Sequence, residues 1–201
     1  MLTIKATYII NNTVLIKFGR NDYMAGSDST LKRMVYAAMF GALTAIGAFI
    51  VIPLQPVPIS LQTLFCSLAG ILLGGYTGAL SQIVYILLGI IGLPVFAGGK
   101  AGLGTLFGPT GGYLIGFIAA AFVIGKIIEA RRNPGLIWIV LALLMGNLVI
   151  YALGVLQLSF IAHLSLIKSM LVGVVPFLPG DLLKLTAATM IGLKLRQQFK
   201  V

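Results

Sequence analysis

Residues 68–99 read LAGILLGGYTGALSQIVYILLGIIGLPVFAGG, without one charged side chain from end to end. An apolar stretch of about 20 residues is long enough to cross a bilayer, and glycine and proline are the residues that interrupt it. Here the punctuation divides the run into two spans, one over about 60–75 and one over about 77–92. Working outward, the same pattern recurs. Upstream, an apolar segment over about 34–52 is closed by Pro53, Pro56 and Pro58. Downstream lie a Gly-rich connection (92–110), spans over about 111–130 and 135–157, and a last span from just after Pro179 to near Leu195. Between the last two, SFIAHLSLIKSM (159–170) reads as an interfacial, amphipathic segment. The expected fold is an all-α integral membrane protein, a bundle of six transmembrane helices with Gly/Pro-rich outer loops, occupying residues 31–201. Residues 1–30 carry Lys5, Lys17, Arg20, Asp22 and Asp28 and never sustain a spanning run. They read as a cytoplasmic extension, disordered or an artefact of the assigned start, because translation from Met24 or Met34 would leave the membrane part complete.

Composition points the same way. Of 201 residues 59% are hydrophobic and 9% charged, with a mean hydropathy of +1.09, far from the usual soluble domain. Six spans of roughly 20 residues use nearly the whole chain and leave no room for a sizeable soluble domain. The net charge of +10 is not a nucleic-acid stripe, since the cations sit at the ends of apolar runs without interleaved aromatics. Lys32, Arg33, Lys126, Arg131, Arg132, Lys194, Arg196 and Lys200 fall on one side of the arrangement; Lys100 and Lys168 fall on the other. By the positive-inside bias both termini are cytoplasmic, and the loops at Pro53–Pro58, at Gly98–Pro109 and before Asp181 share the outer face. No cleavable signal pattern opens the chain, which fits a prokaryotic plasma membrane. Cys66 stands alone, so no disulfide or cysteine-based metal site can form within one chain, and His163 lacks a second ligand at metal spacing.

One acid and base pair falls inside a predicted span. Asp181 and Lys184 in PFLPGDLLKLT are three residues apart and share a helix face. An ionisable residue at membrane depth costs several kcal/mol and reads as functional; the alternative is that Asp181 caps the helix and Lys184 neutralises it. The segment GLPVFAGGKAGLGTLFGPTGGY (92–113) reads as a lid or binding loop, or as plain tight turns. It is not a phosphate loop: Gly99-Lys100 is followed by Ala101, and Pro94 stands where that pattern needs glycine. The chain therefore has no ATP engine of its own. Gln62, Gln82, Tyr85, Tyr113, Asn147 and Tyr151 can hydrogen-bond a polar ligand or hold helices together. Small residues at four-residue spacing (Ala38 with Ala42, Gly70 with Gly74, Gly112 with Gly116) read as packing seams, with Ala38 and Ala42 alternatively a docking strip for a partner helix.

Four stretches, IPLQPVPISLQTL (52–64), residues 68–99, GPTGGYLIGF (108–117) and PFLPGDLLK (176–184), resemble the BioY family, the biotin-specific S components of energy-coupling factor transporters. The loop GGKAGLG (98–104) departs from the family, whose members commonly carry another glycine after the variable position. The resemblance implies a six-helix S component whose outer loops close over biotin, with Asp181 and Lys184 touching the ligand. It further implies that alanines of the first span, Ala38 and Ala42 here, dock on a transmembrane T subunit, and that two ABC-type ATPase subunits power the cycle. No cofactor, metal or nucleic acid enters this reading. Gln82, Tyr85, Lys100, Tyr113 and Asn147 complete the candidate ligand set, with Lys184 or Lys100 meeting the negative or acceptor end of the ligand. Competing readings are an S component for another small vitamin, a carrier that works without the ATPase module, a membrane-embedded enzyme and a structural assembly subunit. The enzyme needs a second catalytic group beside Asp181, because Glu129 lies at a cytoplasmic end; the structural subunit leaves the buried pair unexplained.

Overall fold

Residues 30–196 are described in the computed structural model, so the N-terminal extension up to residue 29 lies outside the described residues. Helix α1 covers 30–49 and ends before the proline-bearing loop, three residues earlier than the first predicted span. Two short strands flank that loop, β1 (Val51–Ile52) and β2 (Ile59–Ser60), antiparallel with Val51 opposite Ser60. This pair is a departure from an all-α chain. Prolines bar helix across 53–58, and the backbone on either side satisfies itself by pairing.

Helix α2 (Gln62–Ile90) holds the run that decides the fold. It is not one rod. Gly74 has φ 80° and ψ −179°, a conformation open to glycine. A side chain on Gly78 would fall 3.0 Å from the Ala69 carbonyl oxygen, and the Gln62 amide donates to the Tyr85 hydroxyl, 23 positions away. In a straight helix those last two residues would stand about 35 Å apart. The element is therefore a hairpin of two antiparallel limbs, 62–73 and 75–90, matching the two spans read from the sequence. Helix α4 (Gly111–Glu129) holds the turn from outside: Glu129 accepts from the Gly75 N–H at 2.8 Å, and Gly125 lets the two backbones touch. A Cβ on Gly125 would lie 2.1 Å from the Gly75 nitrogen.

The short helix α3 (Leu103–Leu106) sits in the Gly-rich connection, and α5 (Leu136–Ile161) returns across the bundle. Helix α5 runs past the predicted end at 157, so the interfacial segment divides into the last turn of α5 and a separate helix α6 (Leu166–Gly173), capped by Ser165. A 3₁₀ turn (Val175–Phe177) leads into α7 (Leu178–Leu195). Central helix α4 packs on α2 and α5, its Gly112 and Gly116 against the α5 backbone at Leu153 and Ile150. One core gathers around Tyr85, Phe96, Phe117 and Phe177, the other around Leu68, Ile71, Ile124 and Leu143, nearer the Gly74 turn.

Long apolar stretches occur at Gln62–Ile90, Gly111–Glu129, Leu136–Ile161 and Leu166–Leu195, the first folded as the hairpin and the last containing α6 and α7. Helix α5 has a mean hydropathy of 2.5 and leaves Ile137, Leu141, Leu144 and Leu148 exposed, as a lipid-facing helix does. Around the Gly74 turn the charges gather. Lys126 pairs with Glu129 at 3.0 Å beneath the Tyr76 ring, Arg131 lies over Trp138, and Arg196 donates to the carbonyls of Ile128 and Arg131.

Replacing Gly125 by Val should destabilise the detergent-solubilised protein by about 1–3 kcal/mol, because the added atoms must push the hairpin turn away from α4. Gly104→Ala, where a Cβ meets nothing within 4 Å, is the matched control. Equal thermal midpoints for both variants would show that the turn is not held by this contact.

Candidate substrate-binding site

Asp181 stands in the first turn of α7, where the helix dipole favours a carboxylate. It caps nothing, since no side chain caps this helix start. Its carboxylate turns sideways into the bundle, where Oδ1 accepts from Lys184 at 2.9 Å and Oδ2 accepts from the Tyr151 hydroxyl of α5. Lys184 also donates to the Thr63 hydroxyl of α2 at 3.1 Å. Three elements thus converge on one ion pair whose side chains are each 10% exposed. Taking two charges out of water costs several kcal/mol per ion, and good geometry with extra hydrogen bonds is what makes the pair tolerable. The helix-cap alternative for Asp181 is thereby excluded by geometry.

Above this pair lies a cavity between α2, α4, α5 and α7, with about 640 Å³ of empty space including its open mouth. Its walls are largely apolar, from Val57, Phe96, Leu114, Phe117, Ile150 and Phe177. The proline-bearing loop and the Gly-rich connection both reach it, as their shared face predicts. A second polar chain fixes them: Ser60 donates to Gln62 at 2.7 Å, Gln62 donates to Tyr85, and Tyr85 donates to the Val95 carbonyl at 3.0 Å. Phe96 sits edge-on to Tyr85 with ring centres 5.7 Å apart. Opposite, Tyr113 donates to the Gly173 carbonyl at 2.9 Å and stacks on Phe177.

The structure separates the sequence candidates. Asp181, Lys184, Tyr113 and Asn147 line the cavity, and Tyr85 stands behind Gln62 as its support. The Asn147 amide makes no hydrogen bond among the described residues, nor does the third N–H of Lys184. Gln82 is buried elsewhere, donating to Thr44 at 3.2 Å and Ser81 at 3.0 Å on the side facing α1. Lys100 is exposed, tied by its carbonyl to the Phe96 N–H, and its side chain is not part of the wall. Thr63 was not among the candidates; only the tertiary fold brings it to Lys184. Tyr151 was legible, because it follows Asn147 by four residues and shares its face. Ala38 and Ala42 both lie on the exposed face of α1.

An apolar cavity with a few converging polar anchors, enclosed by helices that lipid surrounds, defines a multi-pass membrane protein built to hold a small molecule. Residues 20–201 match the BioY family, and the chain belongs to that family. It is 45% identical to the biotin transporter BioY of Thermotoga maritima over 83% of this chain and 97% of that protein. It is 38% identical to the biotin transporter BioY of Rhodobacter capsulatus over 83% and 94%. The fold matches a crystal structure of the S-component for biotin from an ECF-type ABC transporter with a TM-score of 0.77 and 32% identity, covering 85% of this chain and 93% of that one.

Lys184→Met should cost about 3–5 kcal/mol of stability by leaving Asp181 buried and unpaired, while Asp181→Asn combined with Lys184→Met recovers most of that loss. Denaturation of wild type, the two single variants and the double variant in one detergent measures it. Additive losses in the double variant would mean that the two side chains do not act as a pair.

Proposed function

We propose that this protein captures biotin as the S subunit of an ECF-type transporter in a prokaryotic plasma membrane. The observation that carries this reading is the Tyr151–Asp181–Lys184–Thr63 network at the base of an apolar cavity, in a chain of the BioY family. Biotin presents an apolar bicycle and tail, a ureido group with two donors and one acceptor, and a carboxylate. Asp181 accepts from the ureido N–H groups, while the free N–H of Lys184 and the Asn147 amide meet acceptor atoms. Tyr113 and Gln62 bound the polar rim, and Tyr85 acts by fixing Gln62. With Gln82 and Lys100 outside the wall, Lys184 is the cation assigned to the ligand.

Capture alone moves nothing uphill. The chain is a transport subunit and not an enzyme, so ATP hydrolysis falls to ABC-type ATPase partners acting through a transmembrane T subunit. Small side chains admit close helix contact where lipid removes any hydrophobic drive, and Ala38 and Ala42 offer that on the exposed side of α1. In this reading the six spans are α1, the two limbs of α2, α4, α5 and α7, and both termini face the cytoplasm with the basic Gly74 end.

Equilibrium binding to the purified chain is the test, with thiamine and riboflavin as controls. Biotin-selective binding is expected, and Asp181→Asn should weaken it by about 10- to 100-fold, the worth of a hydrogen bond to a charged group. Binding of a control vitamin in preference to biotin would move the assignment to another S component. Ala38→Trp and Ala42→Trp should retain biotin yet fail to co-purify with the T subunit; normal co-purification would remove α1 as the docking face.

A further inference from the structure

The first limb of α2 carries two hydroxyls one helical turn apart, Thr63 and Ser67, on the side turned to α5 and α7. Both line a small pocket beside the ion pair, together with Asn147, Asp181 and Lys184, and leucines close it. Its lining is polar where the ligand cavity is apolar. Ser67 is 6% exposed, yet its hydroxyl has no hydrogen-bond partner among the described residues. A hydroxyl within a helix can turn back to the carbonyl four residues earlier, as Thr44, Thr186 and Thr189 do here. Ser67 does not, and unlike Ser169 Oγ, which packing seals off, it opens on the pocket. The space there for the centre of a water molecule is about 10 Å³. That is room for a single water, and a buried pocket with several polar partners holds one, whereas an apolar one stays dry.

We propose that this pocket binds one structural water, through which Ser67 acts as a positioning residue that orients the Asn147 amide toward the ligand. The orientation follows from counting donors and acceptors. Thr63 already accepts from Lys184, so its own hydrogen is left to give, and so is that of Ser67. Two hydroxyl donors therefore fill the lone pairs of the water. The Asp181 carboxylate only accepts, so one hydrogen of the water goes to it. The other is left for Asn147, which has to meet it with Oδ1 rather than with its NH2 group. The amide is planar, so with Oδ1 held on the Ser67 side its N–H donors turn to the ligand cavity, which Asn147 also lines. A ligand acceptor opposite Asn147 is then matched, and a ligand donor there is refused. The third N–H of Lys184 stays free for the ligand. The water site stands on the pocket alone; its effect on the ligand rests on the biotin reading above.

Two measurements on the full chain test this. A biotin-free crystal structure at a resolution that shows ordered waters should place one within hydrogen-bond distance of Ser67 Oγ, Thr63 Oγ1 and Asn147 Oδ1. A pocket without that water would overturn the site. Equilibrium binding tests the positioning role: Ser67→Ala should keep a thermal midpoint near that of wild type and bind biotin about five- to tenfold more weakly, the worth of one neutral hydrogen bond. In an Asn147→Ala background the same change should cost nothing further, because Ser67 then has no amide to orient. Asn147→Ser is the second background where the first does not fold. Equal losses in both backgrounds would overturn the route through Asn147, as would unchanged binding by Ser67→Ala alone. Absence of biotin binding by folded wild type would instead overturn the ligand assignment, leaving the crystal structure to decide the water.

Discussion

A carboxylate and an ammonium held together inside an apolar bundle is the constraint around which the other features are arranged. Each alone would be intolerable at that depth, and together they are tolerable only with further partners. Those partners come from separate elements: Tyr151 from α5 and Thr63 from the first limb of α2. The pair therefore fixes how α7 sits against both neighbours. It also puts a strong acceptor and a strong donor at the base of a cavity whose remaining wall is apolar. In the proposed reading, the cost of burying the pair and the specificity of the site have one origin.

The hairpin at Gly74 serves the same end by a different route. Limbs of about 18 Å and 24 Å are shorter than the roughly 30 Å hydrocarbon core. Each limb alone therefore covers only part of that thickness. Loops fill the difference: the β1–β2 loop and the Gly-rich connection descend onto the bundle, and Val57 and Phe96 become wall residues. Irregular backbone at that level is permitted because it lies against protein and pairs locally, as Ser60, Gln62, Tyr85 and Val95 do.

How much of this could be read from the sequence follows from the range of the forces involved. Apolar runs and their Gly and Pro breaks are local, so the helices fell within a few residues of the expected spans; the two-limb division of 62–90 was visible in its glycines. The Asp181–Lys184 pair was visible for the same reason, being three residues apart on one helix. Thr63 was not, because 121 positions separate it from Lys184 and no periodicity connects them. Gln82 and Lys100, both read as ligand candidates, lie outside the cavity wall. An intramembrane amide can serve a ligand or a neighbouring helix equally well, and Gln82 faces Thr44; for the cation of the glycine-rich loop, spacing alone does not say which way its side chain points, and its carbonyl closes the loop onto the Phe96 N–H. The short strands escaped notice because two residues carry no alternation to detect.

The polar groups of the cavity divide into two kinds, and the division explains how the site can be both rigid and ready. Tyr85, Gln62, Ser60 and Tyr113 spend their hydrogen bonds on the protein, pinning loops and walls. Asn147 and the last N–H of Lys184 do not, so they stay available. A site whose framework is already bonded loses little freedom when a ligand arrives, and its open donors gain most from being matched. Asp181 belongs to both kinds: its two oxygens are engaged by Lys184 and Tyr151, yet each carboxylate oxygen can accept more than one bond. In the proposed capture a ligand N–H joins the network without breaking it, adding to the interactions that hold α5, α7 and α2 together.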